Sequence, residues 1–148
     1  SLLRHPLVVS SVSELTAGGF KELIDDTTVD AKKVKRVLCC SGKVYYDLLQ
    51  ARQDKQKDVA IVRFEQLYPL PKKQLAALKE KYMNVDFYWV QEEPRNMGAW
   101  GFILQHFSDW NFKVISRPEG ASTATGSSKI HAKSQEELIN QALGLKEA

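Results

Sequence analysis

The sequence predicts an α/β fold of three layers, in which helices cover both faces of a mostly parallel sheet of about five strands. Short apolar runs rich in β-branched or aromatic residues recur at Val34–Cys40, Asp58–Phe64, Val85–Gln91 and Phe112–Ser116. The segments between these runs carry apolar residues at helical spacing. Strands that alternate with helices connect through right-handed crossovers into a parallel sheet that is buried on both faces.

The first 33 residues are predicted to form an arm that packs on its own domain or on a neighbour, and residues 34–148 to form the α/β domain. Ser11 and Glu14 have capping-box spacing, which predicts a short helix that ends near Gly18. The acidic, threonine-rich segment Asp25–Asp30 predicts a loop. Because the chain begins with Ser rather than Met, we expect it to belong to a longer polypeptide.

Four helices are predicted after residue 34. Their apolar positions are Val44, Tyr45, Leu48 and Leu49; Leu75, Leu78 and Tyr82; Trp100, Ile103, Leu104 and Phe107; and Leu138, Ile139, Ala142 and Leu143. Pro71 suits the first position of the second helix. Ser134 with Glu137 predicts a capping box at the start of the last helix, and a short strand is expected near Lys129–His131.

Composition argues against nucleic-acid and membrane partners. The net charge is only +3, and basic residues alternate with acidic ones, as in Lys79-Glu80-Lys81, whereas nucleic-acid binders concentrate basic residues on one face. No apolar stretch approaches the roughly 18 residues that span a bilayer, and the first residues do not have the form of a signal peptide.

Metal binding is also not predicted. Cys39 and Cys40 are adjacent on a strand, so their side chains point to opposite faces and cannot chelate one ion; we expect free, buried thiols in a reducing compartment. His5, His106 and His131 are scattered without cysteine partners at zinc-ligand spacing.

Functional groups are expected at the carboxyl edge of the sheet, where the loops Ser41–Lys43, Glu65–Pro71 and Gln91–Gly98 should gather. Glu92 and Glu93 lie in the third loop. The residue before a proline is extended, so these side chains diverge and are not expected to act as an acid–base pair. Two alternatives remain for them: binding a helix N-terminus or a basic side chain across an interface, or plain solvation.

A structural interpretation of residues 91–100 is more economical. Pro94 should end the strand and Asn96 should cap the following helix. Gly98 should let the helix backbone approach the sheet, and Trp100 should be the first large core residue of that helix. Ser41 lacks the G-x-S-x-G frame of a nucleophile elbow, so no catalytic residue is predicted in this chain.

Two anion sites are conceivable at the same edge. Ser41-Gly42-Lys43 places backbone N–H groups at a strand–helix corner, but the phosphate-binding patterns G-x-x-x-x-G-K-[ST] and G-x-G-x-x-G are absent, which favours a tight turn. Lys72 and Lys73 begin a helix near Gln66, and Arg4 of the arm could reach over. The alternative is that both lysines are merely solvated.

Six ordered stretches carry a resemblance to a known family. "SLLRHP", "CSGKVYYDLL", "DVAIVRFEQLYPLP", "WVQEEPRNMGAW", "RPEGASTATGSSKIH" and "QALGL" together resemble the C-terminal end of the E1 component of 2-oxoglutarate dehydrogenase. The resemblance runs from Ser1 to Leu145.

The resemblance implies a transketolase C-terminal type of domain that helps to hold an E1 homodimer together. The full enzyme would use thiamin diphosphate and magnesium, bound by upstream domains and not by this chain, to decarboxylate 2-oxoglutarate. It would then pass the succinyl group to lipoyl-E2, the dihydrolipoyl succinyltransferase. The family implies the cytoplasm in a bacterium and the mitochondrial matrix in a eukaryote.

Regulation is a further implication, because some relatives respond to acetyl-CoA or adenine nucleotides such as AMP through this end of the chain. The candidate ligand residues are Arg4, Gln66, Lys72, Lys43 and Arg95. Glu92, Glu93, Pro94, Asn96, Gly98 and Trp100 are expected to form a structural corner near an interface. The alternatives left open are a stand-alone module that binds CoA or an adenine nucleotide, and the E1 of a 2-oxoadipate dehydrogenase.

Overall fold

In a computed structural model that describes residues 2–52, 56 and 58–145, five strands form one sheet in the order β1-β3-β2-β4-β5. The strands are β1 Leu23–Ile24, β2 Arg36–Cys40, β3 Val59–Phe64, β4 Asp86–Pro94 and β5 Lys113–Arg117. The α-helices are α1 Val12–Ala17, α2 Val44–Arg52, α3 Lys72–Lys81, α4 Trp100–His106 and α5 Ser128–Leu143. Strands β2 to β5 pair in parallel, and β1 runs antiparallel to β3. The predicted α/β class is confirmed.

Helices cover both faces of the sheet, as predicted. Helices α3 and α4 pack on one face with Cys39, Phe64 and Trp89, and α2 and α5 pack on the other with Cys40. The adjacent cysteines therefore point to opposite faces, and both are fully buried. Central strands must be apolar on both faces, which is why their sequences read as continuous apolar runs.

Helices α2 and α3 lie where the apolar spacing predicted them. Val44 and Leu48 of α2 are buried, as are Leu75 and Leu78 of α3. Pro71 is the N-cap of α3 rather than its first helical residue. In α4, Leu104 was expected in the core, but its side chain is 59% exposed. In this seven-residue helix the buried residues are Trp100 and Ile103, and Phe102 packs partly buried against the same core.

The expectation of a strand near Lys129–His131 is wrong, and so is the capping box at Ser134 and Glu137. All of these residues lie inside α5, which is capped at Ser127, whose Oγ accepts a hydrogen bond from the backbone N–H of Ile130 at 3.5 Å. Once a helix is nucleated, adding further residues costs little, so the earlier of two possible caps sets the boundary. The fifth strand is instead β1, within the predicted arm.

The arm is attached to the sheet by β1 and by a buried ion pair between Asp26 and Arg52, which are 7% and 4% exposed. The Asp26 carboxylate also accepts hydrogen bonds from the backbone N–H of Ile61 at 3.0 Å and from the Thr28 hydroxyl at 2.7 Å. Burial alone would raise the pKa of Asp26, but these hydrogen bonds and Arg52 outweigh it and hold the pKa below its ordinary 3.8. The division at residue 33 stays a prediction.

Helix α1 carries the capping box predicted from Ser11 and Glu14, with both reciprocal hydrogen bonds present and Gly18 at its C-cap. The segment Asp25–Asp30 contains no helix or strand, as predicted. What the sequence did not indicate is that Asp26 in this segment is part of the core.

Candidate functional site

The carboxyl edge of the sheet is formed where β2, β3, β4 and β5 end, at Cys40, Phe64, Pro94 and Arg117. The loops that follow these parallel strands gather there, which is where α/β proteins place their functional groups. Strand β4 is longer than predicted, because after an irregularity it pairs again with β5, Pro94 opposite Arg117. The start of the corner that follows β4 is therefore held against β5.

The side chain of Gln91 organises this corner from the inside. The residue is 4% exposed, and its amide makes four strong hydrogen bonds. Oε1 accepts from Trp89 Nε1 and from the backbone N–H of Trp100, each at 3.0 Å. Nε2 donates to the carbonyls of Pro94 at 3.0 Å and Met97 at 2.7 Å. One amide thereby connects the strand, the turn and the first residue of α4.

Asn96 does not cap α4 as predicted. The N-cap residue is Ala99, which has no side-chain cap, and the N–H of Trp100 is satisfied by Gln91 instead. The Asn96 amide is turned toward the next loop, where Nδ2 donates to Gly120 O at 3.0 Å and Oδ1 accepts from Gly120 N at 3.1 Å. Asn96 therefore fixes the loop after β5 to the corner after β4.

Gly98 lies close to the side chain of Gln91 on β4, in agreement with the prediction that a glycine here lets the helix approach the sheet. Its φ of +67° lies in the left-handed region, and a Cβ there would stand 3.0 Å from Gln91 Oε1. Trp100, two residues later, is 9% exposed and joins the core on the α3–α4 face, as predicted. The corner is built of tightly packed, hydrogen-bonded groups.

Glu92 is half-buried and Glu93 is exposed. Within the described part of the chain, neither carboxylate makes an ion pair or a side-chain hydrogen bond. Their proposed role at an interface stays a prediction.

A cavity of about 180 Å³ lies beside the corner, lined by Pro94, Arg117, Gly120 and the loop 122–125. Ligand pockets usually enclose about 300–1,000 Å³, so this cavity is too small for a cofactor. Of the Arg117 guanidinium next to it, Nη2 is engaged, since it lies 3.1 Å from His131 Nδ1 and 3.3 Å from Gln135 Oε1.

Of the five candidate regulatory residues, Lys43, Gln66 and Arg95 lie in the loops that follow β2, β3 and β4. Lys43 is paired with Asp47 at 2.5 Å, on the α2 side of the sheet. Gln66 Nε2 donates to Pro69 O at 2.6 Å, and exposed Lys72 begins α3 on the opposite side. Arg4 and Arg95 are also exposed. Among the described residues, no hydrogen bond or ion pair joins two of the five, so a common ligand site stays a prediction.

Sequence reasoning missed a cluster at the end of β3. The Arg63 guanidinium lies 4.7 Å from the Tyr45 ring centroid, donates to Tyr46 Oη at 2.5 Å, and places Nε 2.7 Å from Glu65 Oε1. Burial raises the pKa of Tyr45. A groove of about 680 Å³ separates this cluster from arm residues 7–24. Tyr45-Tyr46 at a helix start was the only local indication of it, because Arg63 and Glu65 come from another element.

The donor set for a metal–diphosphate site is not found in residues 2–52, 56 and 58–145, where no three His, Cys, Asp or Glu side chains lie close enough to share an ion. His106 stacks on Phe102, whereas His5 lies against Tyr46, so these two histidines have different neighbours. Within these ranges the side chains do not offer the donor set that magnesium with thiamin diphosphate would need. The helices in the same ranges are also too short or too polar to cross a bilayer.

Comparison with known proteins identifies the family. The model of the family described as 2-oxoglutarate dehydrogenase C-terminal matches residues 9–143. The chain belongs to this family. The corner of Gln91, Asn96 and Gly98 is therefore a feature of a 2-oxoglutarate dehydrogenase C-terminal domain.

Three bacterial relatives show how much of a longer protein this domain represents. The chain is 48% identical to the 2-oxoglutarate dehydrogenase E1 component of Haemophilus influenzae over 97% of its own length and 16% of the relative. It is 46% identical to the oxoglutarate dehydrogenase of Buchnera aphidicola and 44% identical to the E1 component of Rickettsia conorii, over 98% of the chain and 17% of each relative. The chain thus spans about a sixth of the length of these curated relatives.

Proposed function

We propose that this chain is the non-catalytic C-terminal domain of an E1 component that decarboxylates 2-oxoglutarate. The observation that carries the proposal is the match of nearly the whole chain to about a sixth of each E1 relative. The geometry supports it, because the Gln91 and Asn96 side chains at the carboxyl edge hydrogen-bond to the loops around them. The Gln91 amide has both donors and its acceptor engaged inside the chain.

The reaction belongs, in this proposal, to an oxidoreductase that passes a succinyl group to lipoyl-E2. Thiamin diphosphate, which makes the decarboxylation of a 2-oxo acid possible, would be bound with magnesium by residues outside this chain. The domain's own contribution is to present a rigid carboxyl edge, in which Asn96 and Gln91 fix two loops, to the other E1 domains and to the second E1 subunit of a homodimer. The bacterial relatives favour the cytoplasm as its location; in a eukaryote it would be the mitochondrial matrix.

The experiment compares this chain with a longer E1 that contains it. The 148-residue chain with thiamin diphosphate, magnesium and 2-oxoglutarate should show no release of CO₂. A chimera in which this sequence replaces the corresponding C-terminal region of the Haemophilus influenzae relative should release CO₂ and should prefer 2-oxoglutarate to 2-oxoadipate. Turnover by the 148-residue chain alone, or a folded chimera without activity, would contradict the proposal.

Regulation by an adenine-containing ligand is the second candidate. It is supported by the position of Lys43, Gln66 and Arg95 in the loops after β2, β3 and β4, at the edge where such folds bind ligands. Calorimetry with acetyl-CoA and with AMP tests it, using Arg4→Ala and Lys72→Ala as variants. Binding that weakens in these variants but not in Lys133→Ala, a 79% exposed side chain on α5, would support the site. If neither ligand gives a heat of binding when it is titrated into the chimera, the regulatory site is refuted.

A further inference from the structure

The arm presents a line of large apolar side chains to solvent. We define the arm stripe by its four most exposed members after residue 7, which are Val9 at 78%, Val12 at 75%, Leu15 at 78% and Phe20 at 69% exposure. Val12 and Leu15 are three residues apart in α1 and therefore lie on one side of the helix, while Val9 precedes the N-cap Ser11 and Phe20 follows the helix. Single exposed apolar residues are normal, but a contiguous set marks an interaction surface.

Helix α1 is well specified although it buries no residue of its own. It has a complete capping box, and Glu14 is paired with Lys21 at 2.5 Å. Six-residue helices are not stable in water by themselves, and most helical stability comes from packing of an apolar face. Val9, Leu15 and Phe20 line the groove opposite Tyr45 and Tyr46, yet they stay 69–78% exposed, so the chain's own domain does not cover them. A helix with specified ends and exposed apolar side chains still lacks a surface to pack against.

We infer that the arm stripe packs on the remainder of the E1 polypeptide, that is, on the five-sixths of the E1 relatives that this chain does not span. The inference rests on the proposed function. The only charged side chain of α1 belongs to Glu14 and is already neutralised by Lys21, so the stripe suits an apolar partner surface without an unpaired charge.

A second copy of this chain is a poorer occupant. Helix α1 is about 9 Å long at 1.5 Å per residue, and the four side chains on it and beside it cannot supply the roughly 800 Å² per partner of a stable interface. A surface of this size is sufficient when the partner belongs to the same polypeptide, because the covalent connection keeps its effective concentration high.

Cysteine labelling tests the inference, because both native thiols of the chain are fully buried. Leu15→Cys is prepared in the 148-residue chain and in the chimera with the Haemophilus influenzae relative, and the labelled peptide is quantified by mass spectrometry. Leu104→Cys, at an exposed position on α4, is the matched control. We expect labelling at position 15 to be about tenfold slower in the chimera, with little change at position 104.

Equal labelling rates at position 15 in the two proteins would overturn the inference. So would protection at position 15 in the 148-residue chain that increases with its concentration, because the occupant would then be a second copy. If the chimera does not fold, the 148-residue chain is titrated against the relative truncated before its C-terminal region. Binding that Val12→Ser with Leu15→Ser weakens would support the stripe, and binding that is absent or unaffected would refute it. Inactivity of a folded chimera counts against the proposed function alone, since labelling does not depend on turnover.

Discussion

Replacing Gln91 by methionine should destabilise the domain far more than any surface change. Methionine has nearly the same volume, so little cavity forms, and the loss comes from hydrogen bonds. Two N–H groups, of Trp89 and Trp100, and two carbonyls, of Pro94 and Met97, would lose their partner. At about 1 kcal/mol for each net hydrogen bond, the free energy of unfolding should fall by about 4 kcal/mol.

Urea denaturation followed by tryptophan fluorescence measures this change, since Trp89 contacts the substituted side chain. The dependence on urea should keep its slope, which shows that stability and not the extent of unfolding has changed. Gln105→Met, at an exposed position on α4, is the control and should stay within about 0.5 kcal/mol of the parent. A loss below about 1 kcal/mol in Gln91→Met would refute the assignment of Gln91 as the organiser of the corner.

Three further predictions concern the same fold. Gly98→Ala should lower the free energy of unfolding by about 2–3 kcal/mol, because φ is +67° and the new Cβ would lie 3.0 Å from a buried amide oxygen. In the control Gly101→Ala the new Cβ meets nothing within 4 Å, so this variant should be neutral or stabilising. Equal urea midpoints for the two variants would contradict the prediction. Asp26→Asn should lose about 3 kcal/mol near pH 7. The native pKa of Asp26 is lowered from 3.8, so the carboxylate's contribution to stability is complete above that value and disappears as pH falls through the lower native value. The difference between Asp26→Asn and the parent in urea titrations should therefore shrink in acid. A difference that stays constant down to about pH 3 would refute this prediction. Burial raises the pKa of the Cys39 and Cys40 thiols, so a thiol reagent at neutral pH should label them only in urea, and labelling of the native chain would show that the core is not closed.

Local patterns were sufficient where one residue's own chemistry decides the outcome. The capping box of α1 was predicted because Ser11 and Glu14 satisfy each other's backbone groups across a single turn. The opposite directions of Cys39 and Cys40 follow from the pleat of any strand. Gly98 was singled out because a residue without a side chain lets the helix backbone approach the sheet, and the structure adds that its φ is positive.

Local patterns failed where two partners were equally available along the chain. Asn96 and Gln91 could each have satisfied the first turn of α4, and only the folded corner shows that the amide nine residues earlier is the one in reach. Ser127 and Ser134 were both acceptable caps for α5, and the earlier one sets its start. Asp26, in what the sequence marks as a polar loop, is buried because Arg52 lies opposite to it.

By itself the sequence determined the α/β class and the central strands, because burial on both faces of a parallel sheet imposes an apolar pattern that can be read along the chain. The family followed separately, from six ordered stretches that resemble it. Only the tertiary structure decided which polar group meets which, as in the contacts of Gln91 and the Asp26–Arg52 pair. The physical reason is one of range. Hydrophobic burial depends on residue type and is recorded position by position, whereas a hydrogen bond or ion pair depends on two groups that folding brings to within about 3 Å of each other.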